Sequence, residues 1–367
     1  MRDLIRANPG LLSLALIAFV MMGAGQSLYG PALPAFTRNL ALADGQASWL
    51  ISAHWLGCGF GVAVMYLTGT RLNPRHAIGA MAIGAAVVAA SIGWLTTLLG
   101  ALIFGAGYCC ATVMFNPRVL HAFGARGPAM VSLINASFGI GAIAAPLVFV
   151  ALGSDPATSF AAVAAIAVII WLAAGGMSEA AIQTDSTSQP FKPRFGLMTF
   201  GVCGVGLEAC LIGIGPTALI AVGQSETQAA TLLSAFFVAF LAARVALVFI
   251  AHRVAPFTLY ILAMAGTAIC AFGAILISAP LFFAAMGGFA GLFFPGFYVA
   301  ASRIMGTDPR VAPTIIAAGL VGGIPAPVII SALMGHFGTY GFFWIVAAVA
   351  TLVATAAITL GRPAMRS

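Results

Sequence analysis

The chain of 367 residues carries 15 basic and 8 acidic side chains, so only 6% of it is charged, while 62% is hydrophobic and mean hydropathy is +1.10. A water-soluble domain has roughly a quarter of its residues charged, so a soluble fold is excluded and the outer surface must face lipid. The net charge of +7 does not mark a nucleic-acid binder, because the basic residues sit between apolar blocks rather than on one face.

About 20 apolar residues are needed to cross the hydrocarbon core as a helix. Cutting the chain at charges and turn residues predicts twelve such blocks: 11–34, 46–68, 77–95, 97–117, 128–152, 158–177, 195–221, 228–251, 256–278, 280–302, 311–334 and 338–360. Arg2 and Arg6 precede the first block as they would in a signal peptide. That run continues to Ala35 without a small-residue cleavage site, so it reads as the first span. The longest polar stretch, Ser178 to Arg194, is rich in Ser, Thr and Pro. The expected organisation is a first six-helix bundle over 1–177, a cytoplasmic linker over 178–194 and a second bundle over 195–367.

Basic residues between the blocks set the orientation. Arg2, Arg6, Arg71, Arg75, Arg118, Arg126, Lys192, Arg194, Arg253, Arg303, Arg310, Arg362 and Arg366 fall on one side and Arg38 alone on the other. Both termini are therefore expected in the cytoplasm, in a multi-pass protein of a bacterial-type inner membrane. The halves also repeat. Ser52-Ala53 recurs as Ser234-Ala235 at an offset of 182, and Ala145-Pro146 recurs as Ala326-Pro327 at 181. The fold class expected is all-α, with about twelve transmembrane helices in two pseudo-symmetric bundles.

Several local stretches carry a family likeness. Tyr29-Gly30-Pro31-Ala32-Leu33-Pro34 closes the first block; Asn116 follows a Gly-rich fourth block containing Gly105 and Gly107. Arg244 lies late in the eighth block after Ala243, and Gly291-Leu292-Phe293-Phe294-Pro295 lies in the tenth. Together with twelve spans in two halves, these resemble the major facilitator superfamily. That resemblance implies a secondary transporter whose helices one, four, seven and ten line a cavity. The loop after span two departs from the family pattern: Arg71 and Arg75 are present, but Thr70 stands where the family has an acid. The charge lock attributed to that acid is expected to be weak or absent. Ser132, Gly141, Ala145 and Pro146 match the family's antiporter pattern in part, and recurrence of Gly322 to Pro327 in span eleven assigns the stretch to tight helix packing.

An ionisable side chain in the bilayer costs at least about 2.5–3.5 kcal/mol, so it usually faces a cavity or a partner. Only Glu208, Arg244 and His54 lie well inside the expected spans. A buried carboxyl such as Glu208 can take and release a proton as its surroundings change, or it can hold Arg244 one helix away. Arg244 stays charged and needs an anion, water, or the headgroup layer to snorkel into. On the cavity-lining helices, Gln26, Tyr29, Asn116 and Tyr298 are the other candidates for substrate binding or coupling, with Gln26 and Tyr29 three apart on one face. Asn135, on helix five, is assigned to inter-helix hydrogen bonding.

The function expected is alternating-access transport of a small solute by a monomer, with protons as candidate coupling ions and no cofactor or nucleic acid. His54 with Cys58, and Cys110 with Met114, are each one turn apart. This leaves a soft-metal (copper-type) carrier as an alternative, although no third ligand is evident. A non-transporting sensor or assembly factor on the same scaffold is a further alternative. A membrane enzyme is disfavoured, because the eight acids are scattered.

Overall fold

A computed structural model of the chain describes residues 9–68, 72–174, 193–250, 253–306 and 310–360. Most of the expected linker (178–192), Thr70, Arg71 and the terminal arginines lie outside the described residues. Among those described, all regular structure is helical: α1 (Pro9–Asn39), α2 (Trp49–Thr68), α3 (Pro74–Ala90), α4 (Trp94–Ala122), α5 (Gly127–Ala151), α6 (Pro156–Ala173), α7a (Phe195–Gly213), α7b (Gly215–Ala221), α8 (Glu226–Ile250), α9 (Pro256–Leu276), α10a (Ala279–Ala290), α10b (Phe293–Met305), α11a (Val311–Gly323), α11b (Ala326–Met334) and α12 (Gly341–Thr359). Eleven spans are long and apolar enough to cross a membrane, and α3, at 17 residues, is the shorter twelfth.

Two expected boundaries move. The turn between the third and fourth helices falls at Ser91–Gly93 rather than near Thr96, with Ser91 left-handed at φ 44°. The fourth helix does not stop at Pro117 but runs on to Ala122. Three spans expected as continuous helices are broken where glycine and proline coincide: at Ile214, at Gly291–Leu292, and at Ile324–Pro325. A proline inside a helix removes one N–H and leaves the carbonyl four residues earlier without its usual donor.

Helix ends are closed by local chemistry. Asp155 caps α6 through the backbone N–H of Ala157 and of Thr158, the latter at 2.8 Å. These bonds and the Thr158 hydroxyl hold its carboxyl below the usual aspartate range. Asn73 and His76 form a capping box at the start of α3. Arg75 donates to the carbonyl of Trp171 near the end of α6 and lies 4.4 Å over its ring. A cation on an unpaired carbonyl at a helix C-terminus is favourable.

The chain divides into two compact units, residues 1–43 with 49–184, and 44–48 with 185–367. Each is built on the same helix pairings. In the first, α1 packs on α5, α4 on α2 and α3, and α6 on α3 and α1. In the second, α7a packs on α11a, α10a on α8 and α9, and α12 on α9 and α7a. The closest backbone approaches also repeat. A Cβ at Gly141 would sit 1.8 Å from the carbonyl oxygen of Val20, and one at Gly322 would sit 1.8 Å from that of Val202. Likewise a Cβ at Gly105 would sit 2.0 Å from the His54 carbonyl oxygen, and one at Gly287 2.0 Å from that of Phe236. These contacts superpose at the offsets of 181 and 182 already legible in the sequence.

Gly141→Ala and Gly322→Ala are each expected to destabilise the detergent-solubilised protein by about 1–3 kcal/mol, since the added methyl meets backbone that cannot yield. Gly196→Ala, where nothing lies within 4 Å, should cause no loss. Thermal unfolding of the three variants checks this contrast.

Candidate functional site

In the second unit, Glu208 lies on α7a, half-buried, between glycines that let neighbouring helices close in. Gly204 touches the ring of Tyr260, whose hydroxyl donates to the Phe200 carbonyl at 2.7 Å. Gly206 meets the backbone of Gly322. The guanidinium of Arg244 on α8 acts on Glu208 electrostatically. It also lies 4.3 Å over the Phe240 ring, and its Nε donates to the Gly291 carbonyl at 3.1 Å. Gly291 stands four residues before Pro295, so its carbonyl has no intrahelical donor. The break in α10 thus creates an acceptor, and Arg244 fills it. Arg244 is turned into the unit rather than out towards headgroups. Tyr298, on α10b, is half-buried and its ring packs 5.4 Å from Phe294.

In the first unit, His54 is buried in an aromatic shell. Its ring centroid is 5.3 Å from Tyr29 and Tyr108, 5.8 Å from Phe104 and 5.9 Å from Trp55. The Tyr29 hydroxyl and His54 Nδ1 are buried and reach no hydrogen-bond partner among the described residues. Gln26 is half-buried while Tyr29, three residues on, is buried, so the two do not line one open face together. Asn116 is half-buried and accepts from Asn135 Nδ2 at 3.1 Å, which also donates to the Val131 carbonyl at 2.8 Å. Of the soft-metal candidates, His54 Nε2 and Cys58 Sγ are 3.8 Å apart, while Cys110 donates to the Gly61 carbonyl. Met114 is buried. Among the described residues, no group of three or more His, Cys, Asp or Glu is arranged to hold a metal ion.

The candidates are matched across the two halves. Gln26 and Glu208 are 182 residues apart, as are Asn116 and Tyr298, and His54 and Phe236. Sequence reasoning passed over Arg118, which is buried inside α4 rather than in a loop. The signal was the apolar pattern itself, which continues past the expected end at 117 through Val119 and Leu120. It also passed over Tyr108 in the His54 shell and the Gly291 carbonyl.

The sequence profile of the Major Facilitator Superfamily matches residues 15–317. The chain belongs to that family. It is accordingly a multi-pass membrane transporter of the secondary type, not an enzyme. The fold resembles solved structures over 95% of this chain's length. They include a D-xylose–proton symporter (16% identity, 97% of that chain, TM-score 0.76) and the nucleoside transporter NupG in a mutant form (15%, 99%, 0.75). A mutant of the E. coli fucose:proton symporter FucP is a third (18%, 97%, 0.65). At these identities the likeness is one of fold. Comparison with curated protein sequences gives no match.

If Arg244 satisfies the carbonyl that Pro295 orphans, Arg244→Ala should cost about 1–3 kcal/mol less in a Pro295→Ala background than in the parent, because alanine restores the missing donor. Equal costs in the two backgrounds, by thermal unfolding, would contradict the geometry.

Proposed function

We propose that this transporter carries a small, largely uncharged polar solute across a bacterial-type inner membrane by alternating access, working as a monomer with both termini cytoplasmic, and that Glu208 couples transport to protons. One observation carries the reading: Glu208 and Arg244 both sit within apolar spans, and the Arg244 guanidinium is tied to the break in α10. An ionisable pair at such depth is retained at a cost, which function can offset.

The coupling works through competition for one cation. Ionised Glu208 draws on the shared Arg244; protonation of Glu208 leaves Arg244 with the Gly291 carbonyl and the Phe240 ring alone. Because the Gly291 carbonyl sits at a helix break, the charge state of Glu208 reaches a point where α10 bends. Broken helices at the binding depth are where transporters place substrate and ion contacts. Gln26 and Asn116 in the first unit and Tyr298 in the second, each half-buried, offer neutral hydrogen-bonding groups. Spans with so few charges suit a hydroxylated neutral solute. The solved structures that the fold resembles include two proton symporters of sugars and a nucleoside transporter, which supports the same class. The rocking of one bundle against the other draws on a gradient.

A thermal-shift screen of sugars and nucleosides on the purified protein supplies the solute for the test. In proteoliposomes, Glu208→Gln should abolish accumulation driven by an imposed pH gradient while solute exchange down its own gradient continues. Full pH-driven accumulation by Glu208→Gln would refute the coupling role.

A further inference from the structure

The side chains around His54 have no part in the Glu208 coupling and differ from it in chemistry. Cys58 lies one turn along α2 from His54, with its Sγ 3.8 Å from Nε2. Cys109 and Cys110 lie close by on α4. All four residues are buried, and the three cysteines are free thiols. Gly57, Gly61 and Gly105 bring α2 and α4 into backbone contact here, so neither lipid nor bulk water separates the sulfurs.

Packing alone does not demand these residue types. The positions 182 residues on from His54 and Cys58 are Phe236 and Phe240, two plain hydrocarbon rings in the same helix pairing. The duplicated scaffold is content with apolar rings at this place. The first unit instead puts a nitrogen and a sulfur there, beside a second thiol, in a region where polar atoms are costly to bury.

We infer that His54 Nε2 and the Cys58 sulfur form a two-coordinate site for a soft monovalent cation, copper(I) or silver(I). Sulfur and imidazole donors favour soft ions. Binding displaces the Cys58 thiol proton to solvent, and the resulting thiolate together with a monovalent cation is electrically neutral. No net charge is left in the apolar interior. The 3.8 Å between the two donors is a span that one soft ion can bridge with a bent arrangement. A divalent zinc ion, which takes four ligands, is not served by this arrangement.

The test uses the purified full chain in detergent, reduced and anaerobic, with silver(I) as the probe. One silver per chain should survive gel filtration, and X-ray absorption should show a first shell of one nitrogen and one sulfur. Zinc should not be retained. Cys58→Ser and His54→Phe should each weaken silver binding at least about tenfold, while Cys270→Ser leaves it unchanged. His54→Phe installs the ring found at position 236, so the fold should tolerate it. An all-sulfur shell in the parent protein overturns the proposal, and that measurement needs no variant. Undiminished binding by Cys58→Ser, or a loss shared evenly among single replacements of all six cysteines, overturns it as well.

Discussion

Hydrocarbon does not solvate charge, and it offers no partner to a bare peptide group. The second constraint forces backbone groups into helices, because only there are N–H and C=O satisfied within one segment. The first drives Lys and Arg to the helix ends, where they reach headgroups or complete unpaired carbonyls, as Arg75 does at the end of α6. Among the described residues a short list remains inside, with Arg118 of α4 on it. Glu208 and Arg244 are held in the second unit by their mutual attraction, an aromatic face and one backbone carbonyl. His54 is held in the first unit by aromatic rings.

Proline and glycine turn this constraint into a device. Pro295 deprives the Gly291 carbonyl of its donor, and in lipid an orphaned carbonyl is costly unless something replaces the bond. Arg244 does so, which binds a permanent charge to a helix break. Glycines act oppositely, removing side chains so that carbonyls of one helix lie against the backbone of the next. These contacts are van der Waals in kind, which is what holds helices together where no hydrophobic force acts between them.

Much of this was legible in the sequence. Charge exclusion marks the twelve blocks, and the recurring Ser-Ala and Ala-Pro pairs reveal an offset that reappears as matched backbone contacts at Gly141 and Gly322. The depth of Glu208 and Arg244 was equally plain. Boundaries that depend on φ/ψ rather than hydropathy were not. The fourth block was expected to end at 117, yet α4 runs on to Ala122 and buries Arg118; Ser91 adopts a left-handed turn no pattern announces. Three-dimensional partners were likewise hidden. Tyr108 joins His54 only because Gly105 lets α4 approach α2, and Asn135 joins Asn116 across nineteen residues.

The topology of the chain depends on the membrane sorting charge by depth and by side. Labelling by a membrane-impermeant maleimide tests that sorting most directly. Single cysteines placed at Asp44, in the loop holding no basic residue past Arg38, and at Ser188, between the halves, are probed in intact cells. The account predicts labelling at position 44 before permeabilisation and at position 188 only afterwards. Labelling of position 188 in intact cells would contradict it.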